Sequence, residues 1–413
     1  MDTHGEKTGI FAKKGLWVGI GAGVFILIAF ILPTPQSLIE VMEKYGYVQK
    51  MIDWEIAHDV KEAAAKTMIV LGIVPMAVIF FAVEALPIGA TGILMPLMAY
   101  FFGLLPFNMI GKTFAGDAPL FMLGVFALGA TVVEVGFHKR LAVWLLGWTT
   151  GFWVPMIVLC LSMSIVGSFM SAPARGSFMV PVMMAVYYGS VKATSPEEKV
   201  IHDPALAKYL LFSLCFALNM GGPGTPSAGG RNVIMMGFFT EYGIPITYSG
   251  WMKYGWPLVP LGSAMLLIYM ATFFSKKIKT RDLTPGLEYI KDETRKMGKM
   301  SYAEYVTGGS LFVIVALWIF GGEATGLGGP ALLALIIPVL FKTVKFENIL
   351  GRISFNAWFM YCGALTLGAL LKESGGALWL ATTFLNALSQ VGMDKGNGLW
   401  VGMSAFSGLV TNF

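Results

Sequence analysis

Of 413 residues, 56% are hydrophobic and 13% charged, and the mean hydropathy is +0.70. A soluble domain carries about 25% charged residues, so this composition excludes one; the net charge of +5 lies in loops, which excludes a nucleic-acid-binding face. Several apolar stretches are long enough to cross a bilayer as helices and lack the alternation of barrel strands, so the fold class is an all-α polytopic membrane protein.

Residues 1–66 comprise a first transmembrane helix, near 16–33, and an external connection. Lys13 and Lys14 precede this helix as in a signal peptide, but "PTPQS" after it lacks a small-x-small cleavage pattern, so it reads as a retained helix. Helices follow near 67–84, 87–105 and 118–135. The apolar segment 152–187 is interrupted and reads as a re-entrant hairpin. A broken helix takes up 205–242, and a span near 254–274 closes a region 67–275. The loop 276–303 is basic. The region 304–413 holds helices near 304–322, 327–341 and 355–372, then an apolar stretch, 396–413, that is harder to place as a span. Cys160, Cys215 and Cys362 lie in apolar runs without paired spacing, and buried, inert thiols are expected.

Orientation follows from lysine and arginine. With the N-terminus cytoplasmic and the hairpin entering and leaving on one side, the inside loops hold 18 Lys and Arg and the outside loops 8. That asymmetry has the sign of cytoplasmic loops. Most of it comes from "SKKIKTRDL" and "IKDETRKMGK", so 276–303 is expected to be cytoplasmic. The protein is placed in the cell (inner) membrane.

Two stretches resemble each other. "FALGATVVEVGF" (126–137) and "LTLGALLKESGG" (365–376) align at an offset of 239, sharing Leu128/Leu367, Gly129/Gly368, Ala130/Ala369, Glu134/Glu373 and Gly136/Gly375. The topology runs these helices in opposite directions, which predicts an inverted repeat, a common plan among secondary transporters. The first repeat is 67–275 and the second is 304–413. The second reads as incomplete, because the chain ends at Phe413 soon after Glu373. About two helices and half a hairpin are expected beyond it on the repeat logic; a naturally asymmetric protein is the alternative. Glu84, Glu134 and Glu373 near helix ends read as interfacial caps or packing groups, with a proton relay as the alternative.

Two breaks carry the chemistry. "SAPARG" (171–176) interrupts the hairpin. Pro173 fits the first turn of a new helix, where its missing N–H costs nothing. Such a tip exposes backbone N–H groups and the positive end of the second half-helix. Arg175 in that turn opposes the helix dipole, which calls for an anion in a water-filled cavity; an arginine snorkelling to the headgroups is the other reading. The second break, "NMGGPGTPSAGGRN" (219–232), has five glycines and two prolines. It reads as a discontinuous helix offering carbonyls to cations and N–H groups to anions, or else as an ordinary loop. Arg231 and Asn232 fall where its second half begins.

These breaks resemble the divalent anion/sodium symporter family, over nearly the whole chain. "FMSAPARGSFMVP" looks like that family's first hairpin tip, with Ser171 matching its serine. "GGPGTPSAGGRN" looks like its unwound helix, with Gly221, Gly222, Gly224, Thr225 and Asn232 matching. "VEVGFHKRLAVWLL" and "GALTLGALLKESG" resemble repeat-related stretches, and "LVTNF" looks like the lead-in to a second tip past Phe413. The resemblance implies a homodimer with a cytoplasmic N-terminus and sodium held at the tip. Here Ala172 and Pro173 stand where the family has Asn and Thr, and Gly230 and Arg231 where it has a double proline.

The resulting expectation is a secondary active transporter of small, divalent anions such as sulfate or dicarboxylates, working by alternating access. Its substrate would be held by Ser171, Arg175, Thr225, Ser227, Arg231 and Asn232. A cation would be held by Ser171, Gly221, Gly222 and Gly224, making sodium the coupling ion at an altered first site. A passive anion channel is the alternative. An intramembrane enzyme is disfavoured, because His4, His58, His138 and His202 fall outside the predicted spans and no HExxH or GxSxG pattern occurs.

Overall fold

The structure is a computed structural model, and it describes residues 14–168, 172–193, 202–296, 298–393 and 395–411. Among them there is helix and no strand, as the composition requires. In lipid the backbone has no water to bond, and a helix satisfies its own polar groups.

The chain forms two compact units, residues 1–115 with 355–413, and 116–354. The first begins with α1 (Lys14–Ile26), which runs on as a π-helical turn over Leu27–Ile31. Then come α2 (Gln36–Lys44), α3 (Tyr47–Asp53), α4 (Val60–Val83), α5 (Ile88–Phe101) and α6 (Phe107–Ala115). The second unit opens with α7 (Asp117–Val135), α8 (Phe137–Leu146), α9 (Trp153–Gly167) and α10 (Ala172–Ala193). It continues with α11 (Pro204–Met220), α12 (Gly230–Glu241), α13 (Tyr248–Gly255), α14 (Leu258–Phe273) and α15 (Thr284–Lys296). Its last helices are α16 (Tyr302–Phe320), α17 (Gly322–Thr325), α18 (Gly328–Leu340) and α19 (Phe346–Arg352). The chain then returns to the first unit as α20 (Phe355–Glu373), α21 (Gly376–Gln390) and α22 (Gly396–Thr411). Lys14–Ile31, Val60–Val83, Tyr248–Phe273 and Tyr302–Phe320 are each long and apolar enough to cross a membrane.

Helix ends are set by local chemistry. Asp59 caps α4 by accepting the Glu62 N–H. Ser301 and Glu304 form a reciprocal capping box at α16. Gly136 and Gly375 end α7 and α20 in the left-handed region, with φ of 81° and 79°, where a side chain would be strained. Glu134 and Glu373, the aligned glutamates, each sit two residues before such a glycine. In the second unit the Glu134 carboxylate accepts from Asn348 and Arg352 of α19. In the first, buried Glu373 pairs with Lys50 of α3 and with Lys372.

The helix order repeats at the sequence offset. Helices α4 to α9, moved on by 239 residues, fall within four residues of the starts of α16, α18, α19, α20, α21 and α22. The close packing repeats as well. In the first unit α5 lies along α20, and a Cβ on Gly363 would fall 2.4 Å from the Gly92 carbonyl oxygen. In the second unit α7 lies along α18, and a Cβ on Gly124 would fall 2.3 Å from the Ala331 carbonyl oxygen. Residues 92 and 331, and 124 and 363, are 239 apart. Small residues that let backbones approach are the usual means of association where lipid removes the hydrophobic drive.

Each unit has its own core. In the first, Phe25, Ile73, Met95 and Leu370 are buried together, and Leu38, Met42 and Met51 of α2 and α3 pack under α4 with Met68. In the second, Met163, Met183, Tyr209, Leu214 and Met270 join α9, α10, α11 and α14. Cys160 and Cys362 are buried, but Cys215 is exposed, contrary to the expectation of three buried thiols. It sits on the face of α11 that carries exposed Leu211, Phe212 and Phe216, an apolar face suited to lipid.

Candidate functional site

Both sequence breaks lie in the second unit. The segment read as a hairpin holds α9 and α10, the latter starting at Ala172 so that Pro173 and Arg175 fall in its first turn. The discontinuous helix is α11 and α12, separated by residues 221–229 and one 3-10 turn at Pro226–Ala228. Ser171 lies outside the described residues, as does the side chain of Arg175.

The last described residue of the first arm meets the second break. Ser164 Oγ donates to the Ala217 carbonyl at 3.1 Å, and one turn on Ser168 Oγ reaches the Gly221 carbonyl at 3.2 Å. The Thr225 hydroxyl donates back to the Ser168 carbonyl, and the Ser227 hydroxyl lies 3.3 Å from the same oxygen. Thr225 Oγ1 and Ser227 Oγ are 3.0 Å apart, and Ser227 Oγ is 2.7 Å from Tyr248 Oη. All four residues are 2% exposed or less.

Glycine is required where the arms touch. A Cβ on Gly221 would fall 2.3 Å from the Ser164 carbonyl oxygen, and one on Gly224 would fall 2.5 Å from Ser168 Oγ. Asn232, in the first turn of α12, ties the break to itself. Its Nδ2 donates to the carbonyls of Gly222 at 2.7 Å and Thr225 at 2.8 Å. From α13, Trp251 Nε1 donates to the Pro223 carbonyl at 2.9 Å.

This is a buried cluster of neutral oxygens: two hydroxyls and a phenol around the Ser168 carbonyl, with the Gly221 carbonyl beside it. Such groups can ligate a cation or orient an anion's donors, and they carry no charge of their own. The structure brings Thr225, Ser227, Asn232, Gly221, Gly222 and Gly224 to this place. In the arrangement seen, the donors of Thr225 and Ser227 go to Ser168 and to each other, and that of Asn232 goes to carbonyls of the break. Arg231 is exposed in the first turn of α12, with no ion pair among the described residues. Sequence reasoning did not single out Ser164, Ser168, Tyr248 or Trp251. Ser168 stood next to the quoted tip and was legible as a small residue at the break; Tyr248 lay 16 residues past Asn232 in an ordinary-looking stretch.

The family described as "Citrate transporter" matches residues 78–413. A "Sodium-dependent high-affinity dicarboxylate transporter 3" of Caenorhabditis elegans is 24% identical over 76% of this chain and 62% of its own length. The "Sodium-dependent dicarboxylate transporter SdcS" of Staphylococcus aureus strain USA300 is 24% identical over 79% of this chain and 66% of its own. The chain thus spans less than two thirds of the length of these curated relatives.

Proposed function

This chain belongs to the citrate transporter family, and we propose that it is a secondary active transporter that carries small anions by alternating access. The observation that carries the reading is the meeting of the end of α9 with the second break, with Thr225 and Ser227 on the Ser168 carbonyl. Irregular backbone at membrane depth is tolerated where it is buried or lines a cavity, and paired half-helices are how transporters build midplane sites. The names of the relatives point to dicarboxylates with sodium and the family name to citrate; sulfate belongs to the same anion class. Arg175, in the first turn of α10, supplies the fixed positive charge for the anion. We read the repeated helix order as inverted, the N-terminus as cytoplasmic, and the assembly as a homodimer.

Coupling is the point of departure. The tip carries Ala172 and Pro173, which offer no side-chain oxygen, beside a permanently charged Arg175. The first sodium site is therefore altered, and transport is exchange, proton-coupled or driven by fewer sodium ions than in a multi-sodium symporter.

Counterflow in proteoliposomes tests the function. Vesicles of the full-length protein preloaded with unlabelled citrate, succinate or sulfate should transiently accumulate the labelled anion above its outside concentration. Flow that only relaxes to equilibrium identifies a passive channel instead. Arg175→Gln should abolish the accumulation at unchanged expression; normal accumulation returns Arg175 to a headgroup anchor.

A further inference from the structure

We propose that Tyr248 is a positioning residue of this transport site, holding the discontinuous helix against the hairpin arm through Ser227; the proposal rests on the transport reading above. Proton bookkeeping at the cluster carries it. The Ser168 carbonyl can only accept. Thr225 gives it its hydroxyl proton. Ser227 has one proton, and it goes to that carbonyl at 3.3 Å or to Thr225 Oγ1 at 3.0 Å. In either case Ser227 Oγ is left as an acceptor, and Tyr248 O–H, 2.7 Å away, is the donor that fills it. The reverse assignment, with Ser227 donating to the phenol, turns the phenol proton to Thr225 Oγ1, its other side-chain partner, so Tyr248 donates into the cluster either way.

The phenol is well placed to fix that hydroxyl. Tyr248 is 1% exposed and stacked on Trp318, with ring centroids 5.2 Å apart and planes 16° from parallel. Trp318 is itself 1% exposed. Its Nε1 donates to the Leu327 carbonyl at 3.0 Å, and its ring meets Phe121 edge-on at 5.0 Å. Tyr248 heads α13, so its hydroxyl comes from neither the hairpin nor the broken helix. It joins the break to α16 and to the α7–α18 pair, which are packed in the same unit. In a buried cluster a hydroxyl without a fixed donor turns freely, and the oxygens around it lose their common geometry. Ring packing and hydroxyl donation are separable, since phenylalanine keeps the stack and removes only the proton.

The test is counterflow of radiolabelled citrate and of succinate by full-length protein carrying Tyr248→Phe, Ser227→Ala, or both. One neutral hydrogen bond corresponds to about a two- to tenfold change. Each single variant should raise the apparent KM by that factor, with Vmax within about twofold and the melting midpoint in detergent nearly unchanged. The double variant should be no worse than Ser227→Ala, because Tyr248→Phe acts through a bond that Ser227→Ala already removes. An unchanged KM in Tyr248→Phe overturns the proposal, as do additive effects in the double variant. A lowered melting midpoint with Vmax and KM impaired together makes Tyr248 a packing residue only and also overturns it. Wild-type vesicles that exchange neither anion overturn the transport reading itself, and the role of Tyr248 with it.

Discussion

The side-chain amide of Asn232 reaches back ten residues to the carbonyl of Gly222, at 2.7 Å, and so closes the gap that the glycines open in the discontinuous helix. The same amide donates to Thr225 at 2.8 Å. One side chain thereby satisfies the Gly222 carbonyl and adds to the Ala228 N–H on the Thr225 carbonyl. Without it, the Gly222 carbonyl must find water, and the Thr225 carbonyl keeps only the Ala228 N–H at 3.3 Å.

Asn232→Leu should therefore cost more than a surface change. The volume is kept while both donors are lost, and acceptors left without partners cost about 1–3 kcal/mol each. The melting midpoint in detergent should fall by a few degrees, and anion uptake should be lost at 25 °C. Wild-type uptake with an unchanged midpoint would show that the break holds its shape without Asn232.

The loop after α14 is fixed by a carboxylate. Asp203 caps α11 through the Leu206 N–H at 3.1 Å, and its other oxygen accepts from Lys279 at 2.9 Å and Thr280 at 3.0 Å. Burial pushes its pKa up, but the backbone N–H groups of Thr280, Leu206, Lys279 and Ala205 outweigh that and hold it below the ordinary carboxylate value. A carboxyl with a depressed folded-state pKa stabilises fully above its unfolded value, about 3.9. That stabilisation is lost as pH falls through the folded value. Asp203→Asn keeps one acceptor oxygen where the carboxylate uses two, so it should destabilise the protein at pH 7 by about 1–3 kcal/mol for the backbone donors left unpaired, read as a lower melting midpoint. The gap to wild type should narrow from about pH 4 downward. A gap independent of pH between 7 and 3 would show that the charge of Asp203 contributes nothing.

The orientation of 276–303 can be read directly. Among its residues Lys276, Lys277, Lys279, Arg281 and Lys291 are exposed, while Ile278, Thr280 and Leu283 turn inward. If basic loops stay on the cytoplasmic side, a cysteine at Lys291 in a variant without the native thiols should resist an impermeant maleimide in intact cells and react after permeabilisation. Labelling from outside reverses the topology and removes the ground for an inverted repeat.

The long apolar helices and both breaks were legible in the sequence, because each has a one-dimensional mark. A span is a run of apolar residues, and a break is a proline or a glycine cluster within one. The short helices were not. Residues 107–115 and 376–390 read as loops, yet they form α6 and α21. In α6 only Ile110 and Thr113 are buried, which is too few positions to declare a period. Helices α2 and α3, within the stretch read as an external connection, owe their place to Leu38, Met42 and Met51 packing under α4. The Tyr248–Ser227 bond was illegible for another reason. Nothing in "PITYSGW" separates a tyrosine that donates into a polar cluster from one that only packs, and the difference lies in the path of the chain over the 21 residues between them.

Sodium dependence is the sharpest measure of the altered tip. A sodium site needs several oxygens converging on one cation. The break can offer carbonyls, but in the arrangement seen Gly221 accepts from Ser168 and from the Gly224 N–H, and Gly222 accepts from Asn232. A cation there must displace those donors. The tip adds no side-chain oxygen at Ala172 or Pro173, and its guanidinium is always protonated. Two like charges about 4 Å apart repel by roughly 4 kcal/mol at an effective dielectric of about 20. That is close to a thousandfold in cation affinity, at about 1.4 kcal/mol per decade. Uptake of citrate and succinate by proteoliposomes should therefore rise weakly or not at all with sodium at constant ionic strength, with a Hill coefficient of about 1 or below. Arg175→Ser should restore sodium stimulation if the charge is what excludes the ion. A steep, cooperative sodium dependence in the wild type would mean that the break holds its cations in spite of the arginine, and that the substituted tip kept its sodium site.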